Sequence, residues 1–270
     1  ADPGRASGME LLLATVAFSW QIYFDFSGYT DMARGVARFF GFRLMVNFRH
    51  PYLAQGLGDF WSRWHISLSQ WFRDYVYIPL GGSRVGTFRR ILNVMITFLV
   101  SGLWHGAAWR FLFWGGVHGA ALSTSSLTSR VSPSHQNQKV GKLSSLSALL
   151  LTMLQITFTF GVVCYAWVFF RADSVEAALL IHQKIAAACW NLTLFTPAWN
   201  EIMGNRELRR TVLILLAFIA IEMVGRTKEC PLHMPQKPTS LRWATYSAVI
   251  LATVEFVPRT GGQDFIYFDF

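Results

Sequence analysis

Residues 146–170 run from Leu to Phe without one charged side chain, and Arg171 ends the run. A helix needs roughly 20 such residues to cross the hydrocarbon core of a bilayer. In lipid, only a helix or a closed barrel satisfies every peptide group internally. Shorter apolar runs lie at Leu11–Phe24, Ile91–Ala108, Phe111–Leu127, Thr211–Val224 and Arg242–Val257, the last two with one acid each, Glu222 and Glu255. Val175–Phe195 is weaker, being interrupted by Glu176, His182 and Lys184, and fits an interfacial or buried tilted helix. A soluble all-α core holds one or two such runs, not this many.

Charge supports the same reading. Charged residues make up 14% of the 270-residue chain, against about 25% in soluble domains. That shortfall argues against a cytosolic globular enzyme and against disorder. Lys and Arg number 24 against 15 Asp and Glu, a net charge of +9. In so apolar a chain the excess reads as basic loops of a membrane protein, not as a nucleic-acid surface. The basic loops are Gly81–Arg90, Arg130–Lys142 and Arg226–Arg242. With all three in the cytoplasm, Ile91–Leu127 becomes a hairpin that enters and returns. The outer position this gives Arg206, Arg209 and Arg210 fits poorly. Cys164, Cys189 and Cys230 form no C-x-x-C pair, so neither a disulfide framework nor a zinc site is expected. The Ala1-Asp2-Pro3-Gly4 start reads as a fragment or as a chain beginning in a loop. The Ser-rich stretch 123–147 reads as a polar loop. It divides a motif-bearing half, 1–122, from C-terminal helices, 148–270.

Residues 25–118 break the rules of a simple spanning bundle. Asp25-Phe26-Ser27-Gly28-Tyr29-Thr30-Asp31 places acids and hydroxyls just past an apolar run. Pro51 disfavours helix at His50. The stretch Asp59–Asp74 reads as one helix, with Trp61, Trp64, His65, Leu68 and Phe72 on a shared face. Asp59 and Arg63 form an i,i+4 pair. Such a helix is too polar to span lipid alone. It suits an interface or the wall of a cavity. His105 follows an uncharged run and is flanked by Gly102 and Gly106. An ionisable group at membrane depth is expensive and marks a functional site by default. The plainer readings stand beside these: His105 as a satisfied structural histidine, His65 as an interfacial one, the Trp stripe as a membrane anchor. His118, within Gly115-Gly116-Val117-His118-Gly119, is open either way. It lies about 20 Å from His105 along a straight helix. The two can share a metal only if the chain turns back between them, at Gly115-Gly116. No H-x-x-x-H or H-E-x-x-H spacing supports a metal, and G-x-S-x-G is absent.

These residues follow an ordered pattern. Phe24–Ala33 is followed by Asn47-Phe48, then by Asp59-Phe60-Trp61-Ser62-Arg63-Trp64-His65-Ile66-Ser67-Leu68-Ser69. Trp71–Gly82, Gly102-Leu103-Trp104-His105-Gly106-Ala107 and Trp114-Gly115-x-x-His118-Gly119 come next, and the chain ends Phe265–Phe270. In this order they resemble the membrane-bound O-acyltransferase family, most of all its alginate O-acetyltransferase branch, which is related to the D-alanyl transferase of teichoic acid. The resemblance implies an all-α, polytopic transmembrane bundle with short interfacial or re-entrant helices. Family members are longer, and this chain looks like the C-terminal half or somewhat more, without the N-terminal helices. Residues 1–122 would be the catalytic half.

The resemblance further implies an integral protein of the bacterial inner membrane that transfers an acyl group, here acetyl, onto an exopolysaccharide hydroxyl such as alginate's. His105 is the expected catalytic residue and His65 a second one. A neutral imidazole can take the proton of an attacking hydroxyl. Trp104, Asn47, Asp59, Trp61, Arg63, Trp64 and Arg73 are the expected substrate-binding residues. No metal and no permanently bound cofactor are expected. The donor would be acetyl-coenzyme A or a carrier-bound acyl thioester. Expected partners are the bilayer, a polysaccharide acceptor, a periplasmic or surface acetyltransferase and an acyl carrier, with no nucleic acid. The alternative is a non-enzymatic conduit or transporter subunit for acyl groups.

Overall fold

The structure is a computed structural model that describes residues 3–131, 145–190, 200, 203–225 and 238–256. The described residues are mostly helical, with no strand among them. The chain divides into two units, residues 1–212 and 213–270. Residues 226–237 of the Arg226–Arg242 loop, most of Arg130–Lys142 and the Phe265–Phe270 ending fall outside the described residues, as does Cys230, whereas Arg242 stands in a helix.

The first unit opens with α1 (Gly8–Phe39), 32 residues long or roughly 48 Å. Ser7 and Glu10 start it with a reciprocal capping box, which satisfies two orphan N–H groups of the first turn. The apolar run was expected to stop at Asp25. Instead the helix carries on through Asp31, which pairs with Arg34 at 2.8 Å. Its outer half is exposed, so the charges stay solvated while the backbone remains helical.

Two short helices follow, α2 (Leu57–Arg63) and α3 (Ile66–Phe72). The single helix expected over Asp59–Asp74 is therefore broken in two. Trp64 leaves α2 with extended backbone, and His65 is left-handed at φ 40°, ψ 59°. A π-helical turn, Arg73–Tyr77, then leads to α4 (Thr87–His105). Asn93 of α4 donates to the Gly82 carbonyl at 3.2 Å and pins the Gly81-Gly82 segment that follows the turn.

Helices α4 and α5 (Trp109–Val131) form an antiparallel hairpin, as the charge pattern suggests. It turns at Gly106–Ala108, not at Gly115-Gly116. The seam is built on glycine. A Cβ on Gly102 would meet the Phe111 carbonyl oxygen, and one on Gly115 the Phe98 carbonyl oxygen. Gly119 faces Met95, with Sδ 2.9 Å from where a Cβ would stand. Small residues let two backbones approach where lipid gives no hydrophobic drive to associate. Residues 123–131, expected in the polar loop, extend α5. Thr124 and Ser125 turn their hydroxyls back onto the carbonyls of Ala120 and Leu122, which satisfies them without leaving the helix.

Helix α6 (Ser145–Arg171) is the one helix among the described residues that is long and apolar enough to cross a membrane. The other expected spans carry charges or fall short of about 20 apolar residues. The C-terminal half of α6 enters the core through Val163, Ala166, Trp167 and Phe170. The helix meets Trp20 of α1, Trp64 after α2 and Trp114 of α5, all buried. Helix α7 (Val175–Trp190) packs along α1. A Cβ on Gly8 would strike the Lys184 carbonyl, and the Lys184 ammonium donates to the Pro3, Gly4 and Ala6 carbonyls. Helix α8 (Arg206–Gly225) crosses into the second unit, which also holds α9 (Thr239–Phe256).

The seam is directly testable. Gly115→Ala forces the α4–α5 backbones apart and should cost about 1–3 kcal/mol, the usual range for overpacking. Gly116→Ala, one residue away, meets nothing within 4 Å. It should be neutral or stabilising by up to about 1 kcal/mol through helix propensity. Thermal unfolding in detergent measures both, and equal effects at the two positions would refute the seam.

Candidate functional site

The site begins with the break at His65. An irregular segment, residues 42–49, runs beside it. Asn47 clamps the break twice: its backbone carbonyl accepts from the Ile66 N–H at 3.0 Å, and its Oδ1 accepts from the Ser67 N–H at 3.1 Å. Arg49 N–H bonds the Arg63 carbonyl from the other side at 3.0 Å. Asn47 thus stands in for the helix cap that His65 does not supply. A left-handed non-glycine residue costs roughly 1–2 kcal/mol, and such outliers gather at functional sites. The described residues contain two, His65 and His50.

The turn sets the His65 ring edge-on to Phe26, 4.6 Å between centroids, and over Phe48 at 6.3 Å. His65 lies between two seven-residue helices, outside any spanning segment. Burial pushes its pKa down to about 4, so the ring is neutral at pH 7.

His105 is the last residue of α4, at the mouth of the hairpin turn. Three rings meet it edge-on: Trp104 at 4.9 Å, Trp114 at 5.1 Å and Phe170 at 5.0 Å. Phe111 lies at 6.4 Å. Arg110 ties this end of α5 to α6 through the Ala172 carbonyl at 2.7 Å. Its guanidinium sits over the Phe111 ring at 4.5 Å. His105 and His65 stand within range of each other's charge. The two histidines border one aromatic core, linked through Phe48, Trp64, Trp167 and Trp114.

The expected substrate-binding residues divide sharply. Trp104 is 55% exposed and borders His105 directly. Trp64 is 3% exposed and packs among Tyr23, Phe48, Tyr52, Phe60 and Trp167. Trp61 does not share a face with His65, since the helix breaks between them. It packs on Phe98, Trp114 and His118 instead. Asp59 and Arg63 pair with each other at 2.6 Å, and Asp59 also accepts from the Gln55 N–H. Arg73 is exposed and pairs with Asp74 at 2.7 Å.

Packing adds further neighbours to the two histidines. Phe26 and Phe48 wall His65, and Phe170 reaches His105 from 65 positions downstream. His118 is wholly enclosed, with neither ring nitrogen hydrogen-bonded. Leaving a buried polar group unpaired costs about 1–3 kcal/mol. Trp114 lies between it and His105. Among the described residues no three His, Cys, Asp or Glu side chains gather as a metal site would need.

Residues 3–168 match the model of the membrane-bound O-acyltransferase family. The chain belongs to that family. The match covers both histidines, the hairpin and most of α6. Curated relatives include "Probable alginate O-acetylase AlgI" of Azotobacter vinelandii, 37% identical over 79% of this chain and 39% of its own length. The "Peptidoglycan O-acetyltransferase" of Helicobacter pylori is 42% identical over 65% of this chain and 31% of its own. A second "Probable alginate O-acetylase AlgI", from Pseudomonas putida, is 34% identical over 96% of this chain and 53% of its own. The chain thus spans between 31% and 53% of the length of these relatives.

Two predictions concern the His65 turn. Asn47→Ala removes the surrogate cap and should cost about 0.5–2 kcal/mol, whereas Asn47→Asp keeps an acceptor and should cost less. Thermal unfolding ranks them, and an Asp variant as unstable as Ala would contradict the clamp. The second concerns pH. Unfolded, His65 takes a proton below about pH 6.5. Folded, it does so only near 4. The unfolded state therefore binds more protons in that window, and stability falls as pH drops through it. His65→Asn, which tolerates the left-handed backbone, should flatten the fall between about pH 6.5 and about pH 4. An unchanged slope would show that His65 does not titrate this way.

Proposed function

We propose that this protein is a polytopic inner-membrane O-acyltransferase that passes an acyl group, here acetyl, from a thioester donor to a hydroxyl of a cell-surface polysaccharide. The setting of His105 at the hairpin turn, ringed by Trp104, Trp114 and Phe170, carries the reading. His105 acts as base. It takes the proton of the attacking hydroxyl, the oxygen bonds to the thioester carbonyl carbon, and the carbon–sulfur bond breaks. The departing thiolate recovers the proton from the imidazolium, so the histidine returns to its starting state. His65, held at a fixed angle by its strained turn, orients the acceptor or steadies the developing oxyanion.

The donor is acetyl-coenzyme A or a carrier-bound acyl group, presented from the cytoplasmic side. The basic turn with Arg84, Arg89 and Arg90 supports this, because guanidinium groups suit phosphate geometry. Trp104, exposed beside His105, lines the path of the acyl group. The acceptor class is drawn from relatives named for alginate and for peptidoglycan, both polymers that carry free hydroxyls. A separate surface acetyltransferase and an acyl carrier complete the expected machinery.

Deletion of the intact gene should lower ester-linked acetyl on the cell's surface polysaccharide, and the wild-type gene should restore it. His105→Ala in the intact gene should restore less than about one hundredth of the wild-type rate, as loss of a general base requires. Full restoration by that variant, with the protein present in membranes, would exclude His105 as base and favour a non-enzymatic conduit.

A further inference from the structure

The segment that joins α3 to α4 has no part in the base chemistry, yet its backbone is unusual. Ile78 N–H bonds the Arg73 carbonyl and Gly82 N–H bonds the Tyr77 carbonyl, both five residues back and both at 2.9 Å. Turns this wide are rare and gather at functional sites. This one leaves two aromatic rings in the open. Trp71 is 49% exposed and Tyr75 68%, and their rings lie 5.4 Å apart at 34°.

The segment follows α4 backwards. Phe72 meets Trp104, beside His105, edge-on at 6.3 Å. Tyr77 lies within range of the Arg90 charge, and the Gly82 carbonyl accepts from Asn93 at 3.2 Å. Trp71, edge-on to Phe72 at 5.2 Å, and Tyr75 therefore stand between the His105 end of α4 and the basic turn at its start. That turn carries Arg84, Arg89 and Arg90, and no acid occurs from Tyr75 to Ala172. Arg73 holds Asp74 through two bonds, at 2.7 and 3.2 Å, which neutralises the one carboxylate beside the rings.

Length selects what fits. From His105 back to Asn93, α4 rises about 18 Å. A phosphopantetheine arm has its thioester at one end, its phosphate at the other and planar amides between. Extended, it spans roughly 15 Å on peptide-like dimensions, and the guanidinium side chains of the basic turn cover the rest. Its amides and methyl groups suit aromatic faces, and its phosphate suits arginine.

We infer that Trp71 and Tyr75 wall a donor track along α4, on which a phosphopantetheine arm lies between the basic turn and His105. The arm is common to coenzyme A and to acyl carriers. The inference rests on the proposed acyl transfer and adds the residues that hold the donor in line.

The test uses inverted membrane vesicles from cells expressing the intact gene. The labelled donors are acetyl-coenzyme A, acetyl-phosphopantetheine and S-acetyl-N-acetylcysteamine, a short thioester without the arm. Trp71→Ala and Tyr75→Ala should each raise KM for the first two by about ten-fold, as loss of a well-packed aromatic contact does. With kcat within about two-fold of wild type, the loss is one of binding. Turnover of the short thioester should not change, and Trp71→Phe should recover most of the loss. Similar wild-type KM values for the two long donors mark the arm itself as the ligand, as a carrier presents it. A far lower KM for acetyl-coenzyme A marks the nucleotide form. Either result supports the track when the alanine variants raise KM. Unchanged KM for the long donors, or an equal loss with the short one, would overturn the inference and leave both rings as membrane-interface anchors. If Trp71→Ala fails to accumulate, Tyr75→Ala, at the more exposed ring, decides by the same criteria. Absence of label transfer by wild-type vesicles from every donor would overturn the acyl-transfer reading, and this inference with it.

Discussion

The close approach of α4 to α5 is the constraint on which the site depends. Packed helices normally sit 8–10 Å apart, a distance set by the side chains between them. At Gly102 and Gly115 the neighbouring backbone stands where a side chain would begin. The hairpin can then close within a short turn, leaving His105 at its mouth and Trp114 against it. Gly106 works the same seam from the turn, where Phe111 ring atoms lie 2.5 Å and 2.8 Å from the place of a Cβ. A larger residue at these positions would lever α5 away, and the indole would leave the imidazole.

The two candidate catalytic histidines are held by different means. His65 is fixed through its backbone, by a left-handed turn with Asn47 bonded to the two residues after it. His105 is fixed through its ring, by indole and phenyl edges drawn from α4, α5 and α6. Edge-to-face contacts prescribe an angle as well as a distance. Backbone strain holds one ring and aromatic packing the other, neither through an ion pair. The high aromatic content of this chain is therefore more than lipid-facing bulk. Much of it is the mould in which the histidines are set.

The helices were legible from the apolar runs, and the hairpin from those runs with their basic flanks. His105 and His65 stood out because each interrupts an apolar or aromatic stretch. The setting of His65 was not legible, since it depends on a break that periodicity concealed. Positions 61, 64, 65, 68 and 72 fit one helical face. The group that forces the break, Asn47, lies 18 residues before His65. Asp25 and Asp31 read as the end of α1, yet an Asp31–Arg34 pair and an exposed face let the helix continue. The serines after Leu122 read as loop, yet back-bonding to the preceding turn keeps them helical. Phe26, Phe48 and Phe170 come from three separate segments, and only packing shows that they meet the histidines.

The two halves of α6 show how such a site is held at a membrane. Val163, Ala166, Trp167 and Phe170 are buried in the aromatic core. Leu146, Leu149, Leu150, Leu151, Leu154 and Phe158 are exposed. Three of these are consecutive, so the exposed apolar surface wraps more than half the helix. A single partner helix would need only one stripe. An apolar surface around so much of the circumference, with no charge for 25 residues, matches lipid. The lipid-facing half needs only to be apolar and long enough, so exchanges among Leu, Ile and Phe there cost little. The buried half must present Phe170 to His105 at one angle, so the same exchanges there would disturb the site.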